Sequence, residues 1–447
     1  MRLKWVGLSA TVALGSLLVL MSGPPALGSG VSPIPKFSGN GWAREVQLGA
    51  DGRGRATAVW QSGTDVIRTS TFDGTRWTCP VTLPDSRAPL VYAGGAWDLD
   101  VAPNGNAVFG ATIKNQGVAL WTRSGPRGKW VKVTWTTPQA TSVVDESAPP
   151  TVALTGGVAL VAWSAGLPGT GTLGVYGARI PVGSSGPIAV TPMLLGEGVT
   201  GQDPDVAVDA TGNGYLQILN GDSEGSWLEQ LIWPSGGTPR VVRRVPTVDG
   251  QDSSTSAHAN ASGQLIAMWV QTPGENVVSV KVATGTVTTG VTSEGIWTSN
   301  EENLGTHALA SDIATNGSVA LMSIDQEGLI STGVGSVAGG AASMAPAWSG
   351  GAPVGRALTD QWEVTTSNTQ AWVAYNNDSD TAFLARITPG GLVTAVQQSD
   401  MLLLSAAVVS VGGRSTGAMM GENTSGPASH LLTTLPTQVG VANRKCG

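Results

Sequence analysis

The sequence predicts an all-β chain built from repeated four-stranded units. Three observations predict it. Gly, Val and Thr abound beside 16 Trp, a mixture that favours short strands and tight turns. No stretch beyond the first residues keeps a 3.6-residue apolar period, so helices should be few. One grammar, a polar turn followed by an apolar strand with a bulky end, returns eight times at roughly 50-residue spacing.

The copies can be read in order. Asp51-Gly-Arg-Gly-Arg-Ala-Thr-Ala-Val-Trp60 sets the pattern, and it returns at Pro103–Phe109, Thr155–Trp163 and Asp209–Ile218. It returns again at Asn260–Trp269, Thr315–Met322, Ser367–Tyr375 and Val411–Met419. The turn anchors are Gly54, Gly105, Gly157, Gly212, Gly263, Gly317, Thr369 and Gly413. Six residues beyond four of them stand Trp60, Trp163, Trp269 and Tyr375, which recur with the period and so read as packing between units.

Within a unit, a strand such as Pro204–Asp209 alternates apolar and polar residues and can bury one face. An Asp, Asn or Gly turn reverses the chain, because these residues take positive φ readily. A more apolar strand follows, then two weaker ones, often through Gly-x-Trp as at Gly128-Lys-Trp130 and Gly295-Ile-Trp297. Four strands in about 50 residues match a propeller blade, which cannot bury both faces alone. The expectation is a single β-propeller of eight, alternatively seven, four-stranded blades spanning residues 43–447.

Ahead of it, Arg2 and Lys4 precede an apolar run from Val6 to Met21, then Gly23-Pro24-Pro25 and the small residues Ala26 and Gly28. These are the parts of a secretory signal peptide over residues 1–28, followed by a linker, 29–42. The run is shorter than the roughly 20 residues a spanning helix needs. A secreted, extracellular chain without a membrane span after cleavage is expected, acting as a monomer. The net charge of −7, with 12% charged residues, provides no basic footprint for nucleic acid.

Cys79 and Cys446 are the only cysteines. An exported chain meets an oxidising compartment, and first and last blades of a ring are neighbours. A Cys79–Cys446 disulfide sealing the ring is expected, against the simpler reading of two unpaired thiols.

Several motif matches fail on context. Gly221-Asp-Ser-Glu-Gly225 fits G-x-S-x-G but sits in a hairpin with no helix after it. Gly169–Gly174 fits G-x-G-x-x-G yet joins two strands. His258, His307 and His430 lie in different repeats without zinc spacing. The acidic loops around Asp203, Asp205 and Asp209, Asp222 and Glu224, and Asp378 and Asp380 offer oxygen ligands of the kind calcium takes. No string matches the D-x-D-x-D-G loop, so solvated turns are the simpler reading. No catalytic, cofactor-binding or metal residue is assigned from sequence.

The strings Pro204-Asp-Val-Ala-Val-Asp-Ala-Thr-Gly-Asn-Gly214 and Asp73-Gly-Thr-Arg-Trp-Thr-Cys-Pro-Val-Thr-Leu83 carry a resemblance. With Ser70-Thr-Phe-Asp-Gly-Thr-Arg-Trp77, one residue short of S-x-D-x-G-x-T-W, the chain resembles secreted bacterial β-propellers of the sialidase-like, BNR/Asp-box kind. The resemblance implies that the turn at Asp73 stabilises the fold rather than catalysing. Sialidases of this shape use a Tyr/Glu nucleophile, three Arg on the substrate carboxylate and an Asp acid/base. Ala178-Arg-Ile-Pro181 echoes the motif carrying one such arginine, with Ala178 in the place of Phe. Tyr215 and Tyr375 fall inside second strands, so no nucleophile is assigned.

Two functions follow as expectations. One is a non-catalytic binding or scaffold propeller for a glycan, cell-envelope component or protein. The other is a glycan-acting hydrolase or lyase, which should gather a carboxylate pair with Arg or Tyr at the mouth of the central channel. A channel lined only by small and apolar side chains would exclude the second.

Overall fold

The structure is a computed structural model. It describes residues 43–433 except the connecting segments 64–65, 87–96, 114–116, 137–149, 168–172, 184–187, 199–201, 223–224, 247–253, 275–276, 301–307, 326, 345–347, 352–356, 378–380, 389–390, 399–400, 412–413 and 424–430. The expected signal peptide and linker, and Cys446, His307, His430, Asp378, Asp380 and Glu224, lie outside the described residues.

The strands form eight sheets, each antiparallel within itself apart from one added strand. Blade 1 comprises Ala43–Ala50, Ala56–Ser62, Val66–Phe72 and Val81–Thr82. Blade 2 comprises Trp97–Val101, Ala107–Ile113, Gly117–Arg123 and Trp130–Trp135, and blade 3 Thr151–Leu154, Val158–Gly166, Leu173–Pro181 and Met193–Gly198. Blade 4 runs Gln202–Val208, Gly214–Asp222, Gly225–Trp233 and Arg240–Pro246. Blade 5 runs Thr255–Ala259, Gln264–Gly274, Val277–Thr286 and Gly290–Asn300. Blade 6 has Ala308–Ile313, Ser318–Ile324, Leu329–Ser336 and Trp348–Gly351; blade 7 has Ala357–Thr366, Ala371–Asn377, Ala382–Thr388 and Gly391–Gln398.

Seven blades therefore hold the full four strands. The eighth sheet has three among the described residues, Met401–Val411, Arg414–Asn423 and Leu431–Thr433. Its first strand packs between the first strands of blades 7 and 1. Ser405 Oγ of that strand accepts the Leu48 N–H at 2.9 Å and donates to Glu363 Oε2 at 3.1 Å, which closes the ring.

Burial explains the grammar of each unit. A second strand lies between two neighbouring blades and is buried on both faces, so it reads as a continuous apolar run, as in Ala107–Ile113. Outer strands meet solvent on their free side, and Arg240–Pro246 is largely exposed. Trp60, Trp163, Trp269 and Tyr375 are buried in the clusters between and within blades, as their period predicts.

The reversing residues are glycines at positive φ: Gly54, Gly105, Gly212, Gly263 and Gly317. The third repeat corrects the sequence reading by one residue. Gly156, not Gly157, takes the left-handed conformation, because this hairpin is one residue shorter, with Leu154 pairing Ala159. The Gly-x-Trp segments lead into or lie within outer strands, as expected.

One connection departs from the repeat. Between the third and fourth strands of blade 3, Ile188–Val190 crosses to blade 2 and pairs in parallel with Val133–Trp135 as a fifth strand. The Thr136 N–H donates to the Val190 carbonyl at 3.0 Å, and Ile188 and Val190 are buried in the cluster shared by blades 2 and 3.

Candidate functional site

The first strand of every blade faces one central channel with a volume of about 660 Å³. Its polar side chains come from the half-buried positions of the alternating strands, as in Trp97–Val101. Their heights follow from the hairpins. Asp98 and Asp205 precede Gly105 and Gly212 by seven residues, and Asp100, His258 and Asp312 precede Gly105, Gly263 and Gly317 by five. Equal offsets place side chains at one level of the ring. Two tiers result, Asp98 with Asp205 in one and Asp100, His258 and Asp312 in the other. Glu363 lines the channel as well, and Arg53 is the one arginine among its described lining residues.

Most of these groups serve the neighbouring blade. Asp98 Oδ2 accepts the Val152 N–H at 2.7 Å, and Asp100 Oδ2 accepts that of Leu154 at 2.6 Å. Asp312 Oδ2 accepts the Thr366 N–H at 2.6 Å, and Asp205 accepts the Thr255 hydroxyl. The seam between blades 5 and 6 uses Ser254 and Ser256 for the Leu309 and Ser311 N–H groups, at 3.2 and 3.0 Å. A first strand has no sheet neighbour on its channel side, so its free N–H groups need such acceptors. In each of these backbone contacts the side chain of one blade accepts from the next blade along the chain, and Ser405 continues the pattern onto blade 1.

Enclosure by the ring sets the electrostatics. Loss of hydration pushes the Asp98 carboxyl up to about 7, against the Val152 hydrogen bond and with help from the charges of Asp100 and Asp205. The same cause pushes Asp100 up to about 6, with Asp312 adding repulsion. Asp312 is raised by burial and opposed by His258, while burial lowers His258 and Asp312 opposes that shift. The His258 side chain is open to the channel, and its place inside the ring favours the neutral imidazole, with Asp312 opposing. The channel can thus hold carboxylic acids protonated near neutral pH and offer both donors and acceptors.

Residues singled out in the sequence fall as follows. Cys79 lies just ahead of Val81–Thr82, and Cys446 lies outside the described residues. Arg179 is not in the channel. It reaches from blade 3 to blade 4, donating to the Gly212 and Trp233 carbonyls and to that of Pro234 at 2.8 Å, with its guanidinium 4.7 Å above the Trp233 ring. Tyr215 and Tyr375 are buried within blades, and burial raises both hydroxyls. Asp222 pairs with Gly225, so the G-x-S-x-G match is a two-residue hairpin.

Asp209 closes its own turn, accepting the Thr211 and Asn213 N–H groups at 2.8 and 2.9 Å. Among the described residues no group of three or more His, Cys, Asp or Glu is placed to hold a metal ion. Asp73 also caps a turn, accepting from the Thr75 hydroxyl at 2.7 Å and the Arg76 N–H at 2.9 Å. The Thr75 hydrogen bond holds its carboxyl below the usual range. Sequence reasoning missed Asp98, Asp100, Asp312 and Glu363 as channel residues. The signal available for the three aspartates was their offset of seven or five residues from the turn glycines; Glu363, six residues ahead of Thr369, carried none.

No protein-family model matches the chain, and no curated protein does. Among solved structures it is similar to the fucose-specific lectin from Aleuria aurantia, at 13% identity over 81% of this chain and 96% of that one, with a TM-score of 0.41. It is similar to the polysaccharide lyase Uly1 at 10% identity over 79% and 92% of the two chains, with a TM-score of 0.43. A third likeness, to BBS1N in complex with ARL6DN, has 10% identity over 78% and 94%, with a TM-score of 0.43. No helix among the described residues is long and apolar enough to cross a membrane.

Proposed function

We propose that this chain is an exported, non-catalytic propeller that binds a glycan, cell-envelope component or protein through the loops at the ends of its blades. The observation that carries this reading is the engagement of the channel carboxylates. Asp98, Asp100, Asp205 and Asp312 are acceptors for the next blade, which is a structural duty. Arg53 lines the channel, whereas the other arginines and the tyrosines singled out as candidates for sugar-acid chemistry are engaged elsewhere. Arg123 bonds Thr57 and Thr71 of blade 1, Arg179 bonds blade 4, and Tyr215 and Tyr375 are enclosed. The turn at Asp73, built on the string that resembles an Asp-box, supports placing the chain beside the secreted bacterial propellers of that kind. Export rests on the composition of residues 1–28.

A second reading keeps one specific support. A carboxyl held near 7, as at Asp98, beside further carboxylates is the arrangement that glycosidases use for general acid catalysis. The two readings separate in one experiment. The mature chain is applied to a glycan array and, in parallel, to panels of chromogenic glycosides and uronate polysaccharides. Binding without turnover is the expected result. Turnover that Asp98→Asn abolishes, with folding intact, would replace the binding reading by the enzymatic one.

A further inference from the structure

The register of blade 4 sets four polar side chains in one row. Asp205 pairs with Gln217, Gln217 with Gln230 and Gln230 with Arg243. Direct cross-strand partners share a face, so the row crosses the blade from channel to rim. The equivalent row of blade 5 reads Ser256, Met268, Val282 and Gly295, and that of blade 6 reads Ala310, Met322, Thr332 and Trp348. Blade 4 alone of these three carries hydrogen-bonding side chains along the whole row.

Both ends of the row are bound to blade 5. Asp205 accepts from Thr255 at the channel, and Arg243 pairs with Glu294 at the rim while lying over the Trp269 ring at 5.7 Å. The middle is different. Gln217 and Gln230 are 0% exposed, and both atoms of both carboxamides lack a hydrogen-bond partner among the described residues. The Tyr215 hydroxyl and Trp269 Nε1, buried in the same seam, also lack one. The Gln217 carboxamide lies near enough to the Tyr215 hydroxyl to lower its titration as a hydrogen-bonding neighbour, short of a well-formed bond, and the charges of Arg243 and Asp205 also reach it. A buried polar group left unpaired is destabilising. Native interiors satisfy such groups with ordered water where protein does not.

We propose that the seam between blades 4 and 5 binds a file of internal water molecules, held by Gln217, Gln230, Tyr215 and Trp269, that joins Asp205 in the channel to Arg243 at the rim. The ligand is water because six buried donor and acceptor atoms lie in a seam otherwise packed with Leu228, Ile232 and Leu265. The file gives the acidic channel a lateral hydrogen-bonded connection to solvent.

A crystal structure of the mature protein, at a resolution that shows ordered solvent, tests it directly. Density for water bonded to both carboxamides is expected. Deuteron relaxation dispersion counts long-lived internal waters in solution, and its amplitude should fall in the Gln217→Leu/Gln230→Leu double variant. A dry seam with Gln217 bonded to Gln230 overturns the proposal, as does an unchanged amplitude in a folded double variant. Should that variant fail to fold, the density in the unaltered protein decides alone.

Discussion

Asp98 keeps its proton at a pH where exposed aspartates have lost theirs, because the ring removes its water while Val152 supplies one hydrogen bond. An unfolded aspartate titrates near 3.9. Between there and about 7 the folded chain binds more protons at this site. The contribution of Asp98 to stability is therefore full below about pH 4 and is lost as the pH rises through about 7. Asp100 acts in the same sense up to about 6. His258 works the other way, since its lowered value makes its contribution fall away as the medium becomes acidic. Asp98→Asn keeps an acceptor for Val152 and removes the charge. Urea denaturation should show it more stable than the unaltered protein by about 1 kcal/mol at pH 8, after allowance for partial hydration, with no gain at pH 4. An equal effect at both pH values would contradict the enclosure argument.

Strands and hairpins were the most readable elements, and the reason lies in their turns. A two-strand reversal needs a residue at positive φ and a side chain that caps the turn, and Asp51, Asp209 and Asn260 supply that cap at the expected places. Where the hairpin of the third repeat was one residue shorter, the anchor was misread by one. The channel was less readable. An alternating string such as Trp-Asp-Leu-Asp-Val reads as a strand with one face in water, and only closure of the ring makes that face an enclosed tier. The turn glycines give a graded prediction. Gly52 and Gly105 both have positive φ, 67° and 83°, but a Cβ at Gly105 would meet Pro126 Cδ at 2.7 Å while one at Gly52 meets nothing within 4 Å. Gly52→Ala should cost about 1 kcal/mol from backbone strain alone, and Gly105→Ala distinctly more. Thermal melts of the two variants would check the order.

Over the whole molecule, the ring is held by many small reciprocal contacts, each satisfying a backbone group or filling a gap between blades. That architecture was visible in the sequence because a repeat repeats its chemistry; the side-chain traffic between blades was not, because partners lie a full unit apart. Arg123 shows this. It bonds Thr57 and Thr71 and lies 5.1 Å over the Trp130 ring, and its burial pushes the guanidinium down to about 10. At the seam of the ring we propose the Cys79–Cys446 bridge. Mass mapping of peptides under non-reducing conditions should recover the two cysteines joined. Reduction should lower stability by up to about 4–5 kcal/mol on chain-entropy grounds. Free thiols at both sites would end the proposal.

The strand Ile188–Val190 has a consequence for how such a ring is made. Blade 2 receives its fifth strand from chain that comes after the third strand of blade 3. During synthesis the outer edge of blade 2 must wait, uncovered, until residue 190 has left the ribosome. Deleting, exchanging or duplicating blade 3 alone would strip a strand from its neighbour. A ring of nominally interchangeable units thus contains one place where two units cannot be separated without loss.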